Sequence, residues 1–120
     1  MTFSGRVMMP MAEKRNLFDL PDPLPDVEVY ESLTPSGQDV LIERIISGGQ
    51  RTPEGTWYDQ DRDEWVTLLQ GKALLAYEDG TTLEMKAGDH ILIPAHSRHR
   101  VERTSVDPPC IWIAVHGNLL

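Results

Sequence analysis

The chain carries a single cysteine, Cys110, in 120 residues. A disulfide framework within the chain is excluded, and so is a thiolate-held metal cluster. Cys110 stands beside Ile111, Trp112 and Ile113 with no polar activator next to it, so it reads as a small buried hydrophobe rather than a nucleophile. Long apolar runs are also missing, since none nears the roughly 18 residues of a membrane span. The first eleven residues are broken by Gly5, Arg6 and Pro10 and lack the continuous apolar stretch and cleavage site of a secretory signal. Positive charge is scarce: 11 Lys and Arg stand against 19 Asp and Glu, a net charge of −8. That balance argues against roles resting on nucleic-acid backbones or anionic membranes. These absences point to a cytoplasmic protein in a reducing compartment, with neither nucleic acid nor membrane as partner.

What is present divides unevenly along the chain. The length fits one domain. Residues 1–26 hold Pro10, Pro21, Pro23 and Pro25, and alternate prolines favour an extended path over helix or sheet. A short helix is possible over 12–17. This arm reads either as a partly disordered leader or, given Leu17, Phe18, Leu20 and Leu24, as a strap lying on a partner subunit.

From 27 to 120 the pattern is short strands separated by turn signals. The expected strands are 27–33, 38–47, 64–70, 72–78, 81–86, 90–94, 99–104 and 110–116. Asp79-Gly80 suggests a two-residue type I′ hairpin. No segment carries a helical apolar stripe of ten residues. The class is all-β, and such short, evenly spaced strands predict a sandwich or barrel. The stretch 40–46 is apolar on both faces, which predicts cover by a partner subunit or by the arm, and hence a homodimer as one outcome.

Two stretches carry chemistry. The first runs from Thr56 to Trp65 and holds Asp59, Asp61, Asp63 and Glu64. Its D-x-D-x-D opening resembles a calcium loop, but Glu64 stands where glycine is needed and Gln70 where the closing glutamate is needed, so an EF-hand is excluded. Asp61 and Asp63 read as a solvated loop. Glu64 alternates with Val66 and Leu68, and a carboxylate on an apolar face must find a cation, a metal or hydrogen-bond donors. The second stretch, Gly88 to His99, holds three of the four histidines. His99 shares its strand face with Val101, whereas His90 reads as structural or surface. With Glu64, His99 could form a mixed N/O metal site or an acid/base pair. His116 closes the last strand and is a candidate for the barrel mouth. Arg98, Arg100 and Arg103 form a basic group that is either solvated or an anchor for an anionic ligand. Trp57, Tyr58 and Trp65 either pack or floor a pocket.

These residues resemble those of the cupins, small β-barrel proteins. The second cupin motif, G-x5-P-x-G-x2-H-x3-N, is matched by Gly88, Pro94 and His99, with His96 in place of its inner glycine and Arg103 in place of its asparagine. A positive φ at that turn would explain His96, because His tolerates it better than most. The first motif, G-x5-H-x-H-x3–4-E-x6-G, is matched only in its second half, by Glu64 and Gly71. Its histidine positions hold Tyr58 and Gln60 in one register, or Trp57 and Asp59 in the other. The resemblance covers about residues 38–116 and implies a cupin-type jelly-roll barrel. It implies no three-His, one-Glu centre. What remains is a weak or incomplete site for a divalent ion (Zn, Mn, Fe or Ni) on Glu64, His99 and Asp59, with Tyr58, Gln60 and His116 lining a ligand pocket. Three functions follow: a small-molecule binder, an isomerase, lyase or oxygenase with Glu64 and His99 as candidate catalytic groups, or a structural homodimer. Fold alone does not choose among them.

Overall fold

Runs of β-branched and alternating residues become strands wherever one face can be buried. The computed structural model, which describes residues 13–35 and 37–120, has eight: β1 (Val29–Ser32), β2 (Leu41–Ser47), β3 (Asp63–Gln70), β4 (Lys72–Tyr77), β5 (Thr82–Lys86), β6 (His90–Ile93), β7 (His99–Thr104) and β8 (Cys110–Gly117). Each expected strand forms, shifted at its ends by no more than three residues. The strands make two sheets, one ordered β1-β2-β8-β3-β6 and the other β5-β4-β7. Every neighbouring pair is antiparallel.

The inner faces of the two sheets share one core. Val66 and Leu68 from β3, Leu75 from β4, Met85 from β5, Ile93 from β6 and Trp112 from β8 are its main residues. Leu68 is wholly buried, which is worth about 1.5–3 kcal/mol for a side chain of its size. Along β3 the inward face is polar at Glu64 and apolar at Val66 and Leu68. One end of the barrel is therefore packed shut, and the other is polar.

Two turns explain motif residues. Gly71, between β3 and β4, has φ +95°, and a Cβ there would stand 2.8 Å from Cys110 Sγ and Ser105 Oγ. Only glycine fits. Between β6 and β7, Ser97 N–H donates to the Pro94 carbonyl (3.1 Å), and His96, the third residue of that turn, has φ +65°. Among the described residues it is the only non-glycine with positive φ, as expected of the residue in the cupin glycine position.

Three expectations need correction. Asp63, read as part of a solvated loop, is buried, its carboxylate accepting from the backbone N–H groups of Ala95, Leu119 and Leu120. The β4–β5 hairpin is not a type I′ turn at Asp79-Gly80. Its loop is Glu78-Asp79-Gly80, with Gly80 N–H donating to the Tyr77 carbonyl (3.0 Å) and Tyr77 N–H to that of Thr81 (2.8 Å). Only Gly80 has positive φ, whereas a type I′ turn needs it at both central residues. The possible helix over 12–17 is absent from its described part, 13–17, and Ala12 lies outside the described residues. Asn16 instead caps a turn, its Oδ1 accepting from Phe18 N–H (2.8 Å), a local bond that competes with helix.

The arm lies on its own chain's β2, one of the two covers expected for that apolar strand. Residues 1–12, on which much of the leader expectation falls, lie outside the described residues. From Leu17 to Asp26 the chain runs along the outer face of its own β2. Arg44 Nη1 donates to the carbonyls of Leu17 (2.9 Å) and Asp19 (2.6 Å). Gln50 Nε2 donates to that of Asp26 (2.8 Å), and Leu24 packs at Gly48. Ile46, an outward neighbour of Arg44 on β2, is 1% exposed within this single chain. The apolar outer face of β2 therefore has in-chain cover.

Candidate functional site

Register brings the site together. Glu64, the second residue of β3, lies opposite His116 in β8. His99 opens β7 opposite Tyr77 in β4, so one sheet supplies Glu64 and His116 and the other supplies His99. The loop before β3 is drawn in by two backbone bonds: Tyr58 N–H donates to the His99 carbonyl (2.7 Å) and His99 N–H to that of Tyr58 (3.2 Å). This bridge selects one of the two registers left open by the sequence. Tyr58 and Gln60 turn into the barrel, and Asp59 turns out.

Inside the polar end is a cavity of about 90 Å³, lined by Tyr58, Gln60, Glu64, His99 and His116 among others. Four lining residues with polar side-chain atoms were not anticipated: Glu28, Tyr30, Glu43 and Trp112. Glu43 was legible, because it alternates with Leu41 and Ile45 on an apolar face as Glu64 does with Val66. Glu28 and Tyr30 enter only because β1 pairs with β2, which places Tyr30 opposite Ile45.

The side chains fall into two linked groups. His99 Nδ1 lies 2.8 Å from the Ser97 carbonyl oxygen. A carbonyl only accepts, so Nδ1 carries the proton and donates, leaving Nε2 aimed at Glu64 Oε1 across 3.8 Å. That gap is too long for a hydrogen bond. The two side chains are 8% and 10% exposed respectively. Burial pushes the Glu64 carboxyl above its ordinary range, as does Glu43, while His116 and His99 pull it partly back. His116 Nε2 pairs with Glu43 Oε1 at 2.9 Å. That hydrogen bond raises the His116 imidazole against the opposing effect of burial, with further support from Glu64.

The second group reaches the mouth. Trp112 Nε1–H donates to Ser47 Oγ (3.2 Å), Ser47 Oγ–H donates to Glu28 Oε2, and Tyr30 Oη–H donates to Glu28 Oε1 (2.6 Å). Burial and the bond to Glu28 drive the Tyr30 hydroxyl far upward, so it stays a donor.

Several expected site residues lie elsewhere. Asp59 is exposed and sits 2.8 Å from His96 Nδ1 on the outside, so it cannot join Glu64 and His99. Trp57 lies over the guanidinium of Arg100 (5.7 Å), and Trp65 donates to His90 (3.2 Å). Of the three candidate pocket aromatics only Tyr58 lines the cavity; the indole there is that of Trp112. The arginines do not form one anchor. Arg98 pairs with Glu78 (2.8 Å), Arg100 is held by Glu102 (2.5 Å) and the Thr52 carbonyl (3.0 Å), and Arg103 is exposed. None of them lines the cavity.

The expected divalent ion does not fit this donor set. Among the described residues no three His, Cys, Asp or Glu side chains converge as metal ligands. Glu64 and His99 supply two donors, Asp59 is outside, and His116 is engaged by Glu43.

The fold is a two-sheet antiparallel barrel, closed by an apolar core at one end and holding buried ionisable groups around a cavity at the other. The chain belongs to the cupin family: residues 43–116 match the family described as Cupin domain. Among solved structures it is similar to a protein of Ralstonia eutropha provisionally named a mannose-6-phosphate isomerase, with 42% identity, a TM-score of 0.80 and coverage of 88% of this chain and 98% of the other. A cupin superfamily protein of Desulfitobacterium hafniense shares the fold at 16% identity, with a TM-score of 0.65 and coverage of 87% and 99%. The Cnp3 cupin domain of Schizosaccharomyces pombe does so at 15% identity, with a TM-score of 0.65 and coverage of 83% and 63%. No curated protein gives a significant sequence match.

Proposed function

We propose that this cupin binds a small polar molecule in its barrel, with Glu64 and His99 as the groups that meet it. The observation carrying this reading is that both side chains are about nine-tenths buried and face each other across 3.8 Å. Neither the Glu64 carboxylate nor His99 Nε2 has a hydrogen-bond partner among the described residues. Burying such groups unpaired is costly, and a molecule bridging them would supply the missing bonds. Trp112 and Tyr58 give the cavity apolar and aromatic walls for the rest of the ligand.

The second reading is acid/base catalysis. It draws support from a carboxyl raised by burial beside an imidazole whose Nε2 is directed at it. Two such groups can take a proton from one position of a bound molecule and return it at another. The isomerase name of the Ralstonia protein is compatible with proton transfer of that kind. The third reading, a purely structural homodimer, rested on the two-sided apolar β2, for which residues 17–26 now give an in-chain account.

A panel of small polyols, carboxylates, amines and sugars, screened by thermal shift, tests the first reading. At least one member should stabilise the protein, and the shift should vanish in Glu64→Gln and in His99→Gln while both variants stay folded. A panel with no shift that depends on these residues overturns it. Turnover of a binding compound, lost in both variants, would establish the second reading.

A further inference from the structure

We propose that the cavity selects a small organic cation, an ammonium-bearing molecule, over neutral or anionic molecules of the same size. This inference rests on the binding reading above and names its ligand class.

Charge in the lining is one-sided. Glu28, Glu43 and Glu64 all face the cavity, and no Lys or Arg does so among the described residues. Arg62 is turned away, its Nη1 donating to the Asp39 carbonyl at 3.1 Å. The histidines match at most two of the carboxylates, His116 that of Glu43 and His99 that of Glu64. Glu28 is held only by the neutral hydroxyls of Tyr30 and Ser47. Even with both imidazoles charged, three carboxylates face two cations.

The unpartnered Glu64 is the independent pointer to a ligand. Its carboxylate is nine-tenths buried, lines the cavity, and faces His99 Nε2 at 3.8 Å, too far for a hydrogen bond. An ammonium brings both the charge and the N–H groups that this carboxylate lacks. Tyr30, Tyr58 and Trp112 line the same space, and aromatic rings attract an organic cation as they do not attract an anion. A bare metal ion would need several donors converging at about 2 Å, an arrangement the described side chains do not make. A phosphate-bearing molecule, such as the name of the Ralstonia protein mentions, would enter against three carboxylates with no guanidinium or ammonium to receive it.

Three probes of nearly equal size isolate charge: ethanolamine, ethylene glycol and glycolate, titrated calorimetrically into the unaltered protein at matched ionic strength. Ethanolamine should bind at least about tenfold more tightly than ethylene glycol, the ratio expected of a charge-assisted hydrogen bond, and glycolate should not bind detectably. Glu64→Gln should abolish the preference, whereas Glu84→Gln, on the exposed face of β5, should leave it intact. Glycolate or ethylene glycol binding as well as ethanolamine, and still lost in Glu64→Gln, overturns the charge selection and leaves the binding reading standing. Ethanolamine binding that ignores Glu64, no binding of any probe, or Zn²⁺ alone displacing ethanolamine through Glu64 also overturns the inference. The panel above decides the binding reading separately. The probe series on the unaltered protein settles the preference even if a variant fails to fold.

Discussion

Glu64 sets the terms of the site because it is placed where its charge is least welcome. Alternation along β3 puts it on the core face, and burial raises its carboxyl above the ordinary value of 4.5. A raised carboxyl contributes stability that is whole below the unfolded value and is lost as pH rises through the folded one. At pH values above its raised folded value the empty protein therefore carries a buried carboxylate at a cost. Glu64→Gln should melt at or above the wild-type temperature at neutral pH, and the margin should close as pH falls to about 4. Calorimetric melts across that range test this, and a variant less stable at neutral pH would show that the carboxylate is already well compensated. The same alternation rule was available for Glu43 between Leu41 and Ile45. It could not decide Asp59, because in an irregular loop one residue of slip exchanges the inward and outward side chains.

Among the elements, the turn between β6 and β7 shows how a motif departure is absorbed. His96 takes the positive φ that the cupin glycine would take, and its ring pairs with Asp59 on the surface. Left-handed backbone is tolerable for His and poor for a β-branched residue. His96→Val should cost about 1–3 kcal/mol. His96→Gly should stay within about 1 kcal/mol of wild type, since relief of the backbone offsets loss of an exposed pair. Chemical denaturation of the two variants checks this; equal losses would mean that the imidazole contact, not the backbone, governs the turn. The need for such a residue was legible from the spacing of Gly88, Pro94 and His99. The hairpin between β4 and β5 was legible only as a hairpin, because Asp-Gly is compatible with both a two-residue loop and the three-residue loop observed.

At the scale of the whole molecule, the described part of the arm is hydrogen-bonded to the barrel. The segment 17–26 is tied to Arg44 of β2 and to Gln50 in the loop that follows it. Deleting residues 1–26 should uncover the outer face around Ile46 and cost about 1.5–3 kcal/mol for that side chain alone. Because the cover comes from the same chain, the loss should not vary with protein concentration. Melts over a wide dilution series decide between this and a strap shared between subunits, for which the loss would grow on dilution.

What the sequence determined by itself was local. Eight strands and their inward faces follow from alternation and turn signals, which act over a few residues, whereas the positive φ at position 96 was read from the cupin motif. The cupin resemblance extended that to the barrel. The tertiary structure alone decided which charges meet. Glu64 faces His99 only because two sheets close on each other, Glu43 reaches His116 only through the β2–β8 register, and Glu28 and Tyr30 join the cavity only through the pairing of β1 with β2. These contacts span 19 to 73 positions in sequence, and no local pattern encodes a distance of that kind.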